Sequence, residues 1–213
     1  VQISITIMGH PRRDANIQKL LIQLVHMPFS DVSVTLDTEN SEWHTGRRAL
    51  LAGVGKGEYH VVIQDDAILT PNFYENVEQM ICSLKTKTLV SLYTGTSRPL
   101  ASRVTAAVNK TPDGGFLRHH TLFWGVGIAI PTSHIEPMLE FVEDIALQYD
   151  NKIGEFYCRN GLPVYYCIPS LVDHDDDTDT LITGHGRDIN FEPRVAHRLA
   201  TGLVSWTKQE NYI

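Results

Sequence analysis

The stretch His60-Val61-Val62-Ile63-Gln64-Asp65-Asp66 decides how the chain is read. Its β-branched apolar run is too short for a buried helix and reads as a buried strand. The run stops at an amide and two adjacent carboxylates, and in open α/β sheets ligands bind beyond the carboxyl ends of strands. One segment therefore proposes both a fold class and a place for chemistry.

Working outward, Val1 to Met8 is β-branched and apolar and breaks at Gly9-His10-Pro11. Ile17, Leu20, Leu21 and Leu24 follow at helical spacing. Val32 to Leu36 repeats the strand signature and ends at Asp37; Trp43, Leu50, Leu51 and Val54 then predict a helix closed by Gly55 or Gly57. Beyond the central strand, Thr70-Pro71 predicts a capped helix carrying Phe73, Val77, Met80, Ile81 and Leu84, and Thr88 to Tyr93 a fourth strand. Strands alternating with helices predict βαβ units, and hence an α/β fold with a mostly parallel sheet and helices on both faces.

From Gly95 to Thr121 the periodicity lapses, and 27 residues read as one long loop. A loop of that length inside a compact domain is usually functional. It carries Arg98, Arg103, Lys110, Arg118, His119 and His120, a positive character within an acidic protein. Phe123 to Ile130 predicts a strand holding Gly125 and Gly127, and Ser133-His134-Ile135-Glu136 has the form of a capping box. A helix at Asn151 to Asn160, a strand at Pro163 to Ile168 and an acidic loop around His174 complete a domain spanning residues 1–186. Residues 187–213, locally basic through Arg187, Arg194 and Arg198, read as an extension packed on that domain or extending from it.

Composition narrows the function classes. The 213 residues carry 25 Asp+Glu against 18 Lys+Arg, a formal charge of −7, which argues against a general nucleic-acid coat or an anionic-membrane binder. No run approaches the roughly 18 apolar residues of a membrane span, and no secretory leader opens the chain, so a cytoplasmic protein is expected. Cys82, Cys158 and Cys167 are odd in number and form no C-x-x-C, which supports neither a disulfide framework nor a zinc knuckle. A G-x-G-x-x-G after the first strand, a P-loop and a G-x-S-x-G elbow are all missing. The run Asp173 to Asp179 lacks the Gly and Glu of a calcium loop.

Asp65-Asp66 at a strand's carboxyl edge can hold a hard divalent ion against a phosphate, or simply cap nearby backbone N–H groups. His174, just beyond the last clear strand, can bring an imidazole to the same ion or lie exposed. Arg12, Arg13, Arg47 and Arg48 stand near strand ends, where they suit phosphate or ribose, or solvent. Trp124 can stack on a sugar or fill the core.

The order of Ile7-Met8-Gly9-His10-Pro11-Arg12-Arg13, Asp37, Glu42-Trp43-His44-Thr45-Gly46-Arg47-Arg48, Gln64-Asp65-Asp66, Trp124-Gly125-Val126-Gly127 and Pro169-Ser170-Leu171-Val172-Asp173-His174 resembles nucleotide-sugar-dependent glycosyltransferases of the GT-A fold. It looks most like small phage and bacterial relatives of glycosyltransferase family 25. The resemblance covers roughly residues 1 to 185. It implies a GT-A domain, an NDP-sugar donor such as a UDP-sugar, and Mn²⁺ or Mg²⁺ on Asp66 with Asp65 beside it and His174 as a second ligand. It places Gly9, His10 and Arg13 in the first nucleotide-contacting turn, Asp37 at the base or ribose, and Gln64 where the family carries an acid that meets the ribose. A metal together with Arg47 or Arg48 would stabilise the departing diphosphate. An inverting enzyme also needs a carboxylate base; Asp150 is the first candidate, with Glu155 and Asp144 behind it, although an Asp before a helix is also a natural N-cap. Relatives glycosylate lipopolysaccharide, protein or modified DNA bases, and the positive segment from Gly95 to Thr121 fits DNA without requiring it. A nucleotidyltransferase, or a non-catalytic nucleotide- or sugar-binding domain favoured by Gln64, would use a similar sheet.

Overall fold

The computed structural model describes residues 1–97, 100–175 and 193–213. Of the residues singled out above, Arg98, Asp176 to Asp179 and Arg187 lie outside these, as does the boundary at residues 186 and 187. The chain runs β1 (Ile3–Gly9), a 3-10 turn (Pro11–Arg13), α1 (Asp14–Leu24), β2 (Val32–Leu36), α2 (Glu42–Leu51), β3 (Tyr59–Gln64) and β4 (Ala67–Leu69). It continues through α3 (Phe73–Ser83), β5 (Val90–Ser91), α4 (Ala101–Lys110), β6 (Gly115–His119), β7 (Gly127–Pro131), α5 (Thr132–Phe141) and α6 (Tyr149–Arg159). The last elements are β8 (Val164–Ile168), β9 (Val172–His174) and β10 (Glu210–Tyr212).

One eight-stranded sheet, ordered β10-β6-β8-β5-β7-β3-β1-β2, organises the molecule. The parallel β2-β1-β3 arrangement of the βαβ reading is present. The sheet is mixed, however: β7 runs antiparallel to both β3 and β5, and β6 antiparallel to β8. An apolar run reports burial and says nothing of direction, which is why the reversal was not legible. Every residue of β1, β7 and β8 is buried, and successive side chains point to opposite faces, so both faces of the sheet are covered. Ile5, Ile7, Val61 and Ile128 are fully buried, each side chain contributing about 1.5–3 kcal/mol.

Several expected boundaries move for identifiable reasons. The non-periodic segment from Gly95 to Thr121 contains α4 and β6. The buried face of α4 is only Val104, Ala107 and Val108, a weak contrast against its Ser, Thr and Ala neighbours. Thr70 does not cap α3; its hydroxyl donates to the Leu171 carbonyl at 2.8 Å, and the helix begins after Asn72, whose φ is 55°. The capping box at Ser133 does not form, because Thr132 opens α5 and its hydroxyl donates to the Gly57 carbonyl at 2.7 Å. α2 stops at Leu51, ahead of Gly55 and Gly57. α6 starts at Tyr149, so Asp150 lies inside its first turn instead of at its cap. The extension joins the same sheet: β10 pairs in parallel with β6, and Trp206 stacks on Phe116 at 5.7 Å between centroids. Among the described residues no helix is long and apolar enough to cross a membrane.

Two helices meet where a glycine removes a side chain. A Cβ at Gly46 of α2 would stand 2.3 Å from the Tyr149 ring of α6. Alanine there gains up to about 1 kcal/mol of helix propensity. Overpacking a full ring against backbone costs about 1–3 kcal/mol, so the clash dominates. Gly46→Ala is expected to lower the urea midpoint of unfolding; an unchanged or raised midpoint would show that the α2–α6 contact yields freely.

Candidate functional site

β3 ends at Gln64, and the backbone holds the next residue in place: the Asp65 N–H donates to the Met8 carbonyl at 3.0 Å. Asp65 and Asp66 thus stand at the carboxyl edge of β1 and β3, where the alternating pattern located them. Both are buried, at 5% and 8% exposure. Two adjacent carboxylates out of water repel unless something positive lies between them. Arg13 does so with a single atom, its Nη1 lying 2.7 Å from Asp65 Oδ1 and 2.9 Å from Asp66 Oδ2. The His10 backbone N–H donates to Asp65 Oδ2 at 2.7 Å, so both Asp65 oxygens are engaged. Gly9 permits this approach, since a Cβ there would lie 2.6 Å from Ile17 Cδ1.

His174 reaches the same place from far along the chain. β4 and β9 pair antiparallel with Ala67 opposite His174, and the Asp175 N–H donates to the Asp66 carbonyl at 2.8 Å. This puts His174 Nε2 3.4 Å from Asp66 Oδ2. Burial pushes the Asp66 carboxyl up, but His174 and Arg13 outweigh it and hold the group below the usual carboxylate range. For Asp65 burial prevails over the His10 N–H and Arg13, and its carboxyl lies above that range.

The residues suit a divalent ion in donor type and spacing. Two donors about 2.1 Å from one ion, at angles near 90–110°, are about 3.0–3.4 Å apart, which the Asp66–His174 separation matches. Asp66 Oδ1 is buried without a hydrogen-bond partner among the described residues, leaving an acceptor free. No group of three or more His, Cys, Asp or Glu that could hold a metal occurs among the described residues. Two protein ligands are nevertheless the habit of Mg²⁺, which takes one or two from protein and the rest from water and phosphate.

The other expected residues divide. Asp37, at the end of β2, accepts from the N–H groups of Glu39 and Ser41 at 3.0 and 3.1 Å through one oxygen. Burial raises its carboxyl, but these amides together with Thr45 and His10 bring it below the ordinary value. Arg48 pairs with Glu39 at 2.5 Å and donates to the Leu36 carbonyl at 2.8 Å, which closes the β2–α2 loop and takes it away from a diphosphate. Arg47 is exposed. Glu155 is bonded to Arg159 at 2.6 Å, and five residues from Asp150 it faces another side of α6. Trp124 is buried edge-on against Tyr93 and Tyr166, the core alternative. A Cβ at Gly127 would be 3.0 Å from Val172 Cγ2, so that glycine serves packing.

Sequence reasoning missed Glu42. It opens α2 after the Ser41 cap, as any first-turn acid does. Burial, with Asp150 and Asp66 facing it, raises its carboxyl to about 7. Burial likewise raises Asp150, against the pull of the Asn151 N–H. Gly125 lets this wall close, since a Cβ there would lie 3.1 Å from the Tyr149 ring and 3.5 Å from Asp150 Cβ. Tyr149 itself is fully buried, its hydroxyl without a hydrogen-bond partner among the described residues. Glu42, opening α2, thus lies within electrostatic reach of Asp66 beyond β3 and of Asp150 in the first turn of α6.

The folded chain holds the Glu42 proton to about pH 7, whereas an unfolded glutamate releases it near 4.3, so between those values the folded state binds more protons. Glu42 therefore lowers stability as pH rises from about 4.5 to 7. Glu42→Gln is expected to gain stability relative to the parent chain in urea unfolding at pH 8 compared with pH 5. An equal difference at both pH values would refute the shared acidic wall. No protein-family model matches the chain, and no curated protein matches its sequence.

Proposed function

We propose that the chain is a metal-dependent glycosyltransferase of the GT-A type that moves a sugar from a nucleoside-diphosphate donor to an acceptor hydroxyl. The observation that carries this reading is the junction of Asp66 and His174, 3.4 Å apart at the carboxyl end of β3, with an Asp66 oxygen that has no hydrogen-bond partner among the described residues. Asp66 and His174 would hold Mn²⁺ or Mg²⁺, which when bound neutralises charge developing on the leaving diphosphate. Asp65 and Arg13 act as positioning residues, because both Asp65 oxygens are used to fix the turn that follows β1. The amide of Gln64 remains for base and ribose. Arg12 and Arg47, both exposed, are the arginines left for the phosphates.

Asp150 is the base in this reading. It takes the acceptor hydroxyl's proton as the new C–O bond forms and the bond to the diphosphate breaks, a single displacement that inverts the anomeric centre. Glu42, protonated up to about pH 7, can donate a hydrogen bond in the same cleft. Asp65, Asp66, Glu42 and Asp150 bring four carboxyl groups to this cleft against Arg13 and His174. A diphosphate entering it needs a cation.

Isothermal titration of a panel of nucleoside diphosphates with and without Mn²⁺ tests this. Binding of at least one is expected to require the metal, and Asp66→Asn is expected to abolish it while leaving the circular dichroism spectrum unchanged. Turnover should fall at least 100-fold in that variant, consistent with losing a directly bound charged ligand. Failure of every nucleoside diphosphate to bind in a metal-dependent way would overturn the proposal. Free nucleoside diphosphate among the products marks glycosyl transfer; pyrophosphate would mark nucleotidyl transfer instead.

A further inference from the structure

β4 and β9 form a two-stranded pair apart from the main sheet, three residues on each side. Such a pair is marginal by itself in water, so His174 is held only as well as β9 is held from outside. The start of β9 is secured by the Leu171 and Val172 N–H groups, which both donate to the Leu92 carbonyl, at 2.8 and 3.2 Å. Its end carries His174, whose Nδ1 is buried without a hydrogen-bond partner among the described residues. A metal-binding histidine ordinarily has its other ring nitrogen oriented by a carboxylate, a carbonyl or water. Here the backbone has to set the ring.

One side chain fixes that backbone. Asp173 Oδ1 accepts from the His174 N–H at 2.9 Å and from the Ala196 N–H at 2.8 Å. The first bond is local, whereas the second joins β9 to a segment 23 residues further on. That segment, residues 195–200, is itself tied down. The Thr96 N–H donates to the Val195 carbonyl and the His197 N–H to the Thr94 carbonyl, both at 2.9 Å, which turns the Ala196 N–H between them the other way, toward Asp173. The Ser170 N–H donates to the Arg198 carbonyl at 2.8 Å, and the Ala200 N–H to the Ser170 carbonyl at 3.0 Å. The Arg198 guanidinium fastens the segment to the end of α4, donating to the Thr111 carbonyl at 3.1 Å and to Asp113 at 2.7 Å.

We infer that Asp173 is a positioning residue for the metal site: by clamping the His174 N–H to residues 195–200 it sets the imidazole against Asp66, 3.4 Å away. The metal role rests on the glycosyltransferase reading; the clamp does not. The clamp requires an acceptor oxygen at one place and no charge. Asparagine keeps that oxygen, and glutamate keeps the charge while moving the oxygen outward by one methylene.

Titration of Mn²⁺ alone into the full chain, followed by the electron paramagnetic resonance of the free ion, separates the two. Asp173→Glu is expected to bind Mn²⁺ at least about tenfold more weakly than the parent chain, and Asp173→Asn within about threefold of it, the former being the loss that follows when a metal ligand is no longer oriented. Circular dichroism checks that each variant is folded, and Asp173→Ala replaces Asp173→Glu if that chain is not. In the metal-free chain, the His174 ring resonances, assigned by their loss in His174→Gln, are expected to move in Asp173→Glu and to stay in Asp173→Asn. Parent-like binding by Asp173→Glu, unmoved ring resonances in it, or an equal loss in Asp173→Asn would overturn the clamp, the last by giving Asp173 a purely electrostatic role. A parent chain that binds no Mn²⁺ would remove the metal reading, and the ring resonances would then decide the clamp on their own.

Discussion

One guanidinium nitrogen holds the working end of the sheet together. Asp65 and Asp66 are adjacent, buried and of like charge, an arrangement whose desolvation and repulsion would force one carboxylate to take up a proton or one side chain to swing out. Arg13 Nη1 sits between them, and the His10 N–H takes the remaining Asp65 oxygen. The consequence reaches beyond the pair. Because Arg13 and His10 belong to the turn after β1 while the acids belong to the end of β3, the bridge fixes that turn over the sheet edge. Asp66 is then presented with one oxygen committed to Arg13 and His174 and the other without a hydrogen-bond partner among the described residues. Truncating Arg13 would leave buried charge without a partner, a far larger loss than that of an exposed ion pair.

The parts of this arrangement differ in how visible they are along the chain. β1, β2, β3 and the three helices packed beside them follow hydrophobic period, so the edge carrying Gly9, Asp37 and Asp65-Asp66 could be placed from sequence. The approach of His174 to Asp66 could not be measured that way, because it depends on β4 and β9, three residues each, paired across more than a hundred positions. α4 hid because alanine and valine on its buried side differ little from threonine and alanine outside. β10 hid because a three-residue strand, Glu210–Tyr212, is defined by backbone pairing with β6 and not by an apolar pattern. The Glu42 carboxyl is raised by burial, Asp150 and Asp66, yet locally it is an ordinary first-turn glutamate; the fold and α6, more than a hundred residues later, supply what changes it.

Glycines mark where these distant pieces touch. Gly46 and Gly125 leave room for the two edges of the Tyr149 ring, and Gly154 brings α6 onto the Thr121 hydroxyl, where a Cβ would lie within 2.3 Å. α6 is thereby seated against α2 and the segment before β7, which brings Asp150 within electrostatic reach of Glu42. Close approach, more than freedom of backbone, explains these three positions.

Charge is then segregated in a way the overall balance of −7 conceals. Carboxyl groups gather near the ends of β3, α2 and α6, while Arg103 and Lys110 are exposed on α4. On the proposed reading the carboxyl groups bear on the donor. A nucleoside diphosphate brings negative charge to a cleft already rich in carboxyl groups, so its entry depends on a divalent ion whose charge exceeds what Arg13 supplies, and metal dependence belongs to donor binding and not to the chemical step alone. On that reading the acceptor needs only to bring its hydroxyl to Asp150.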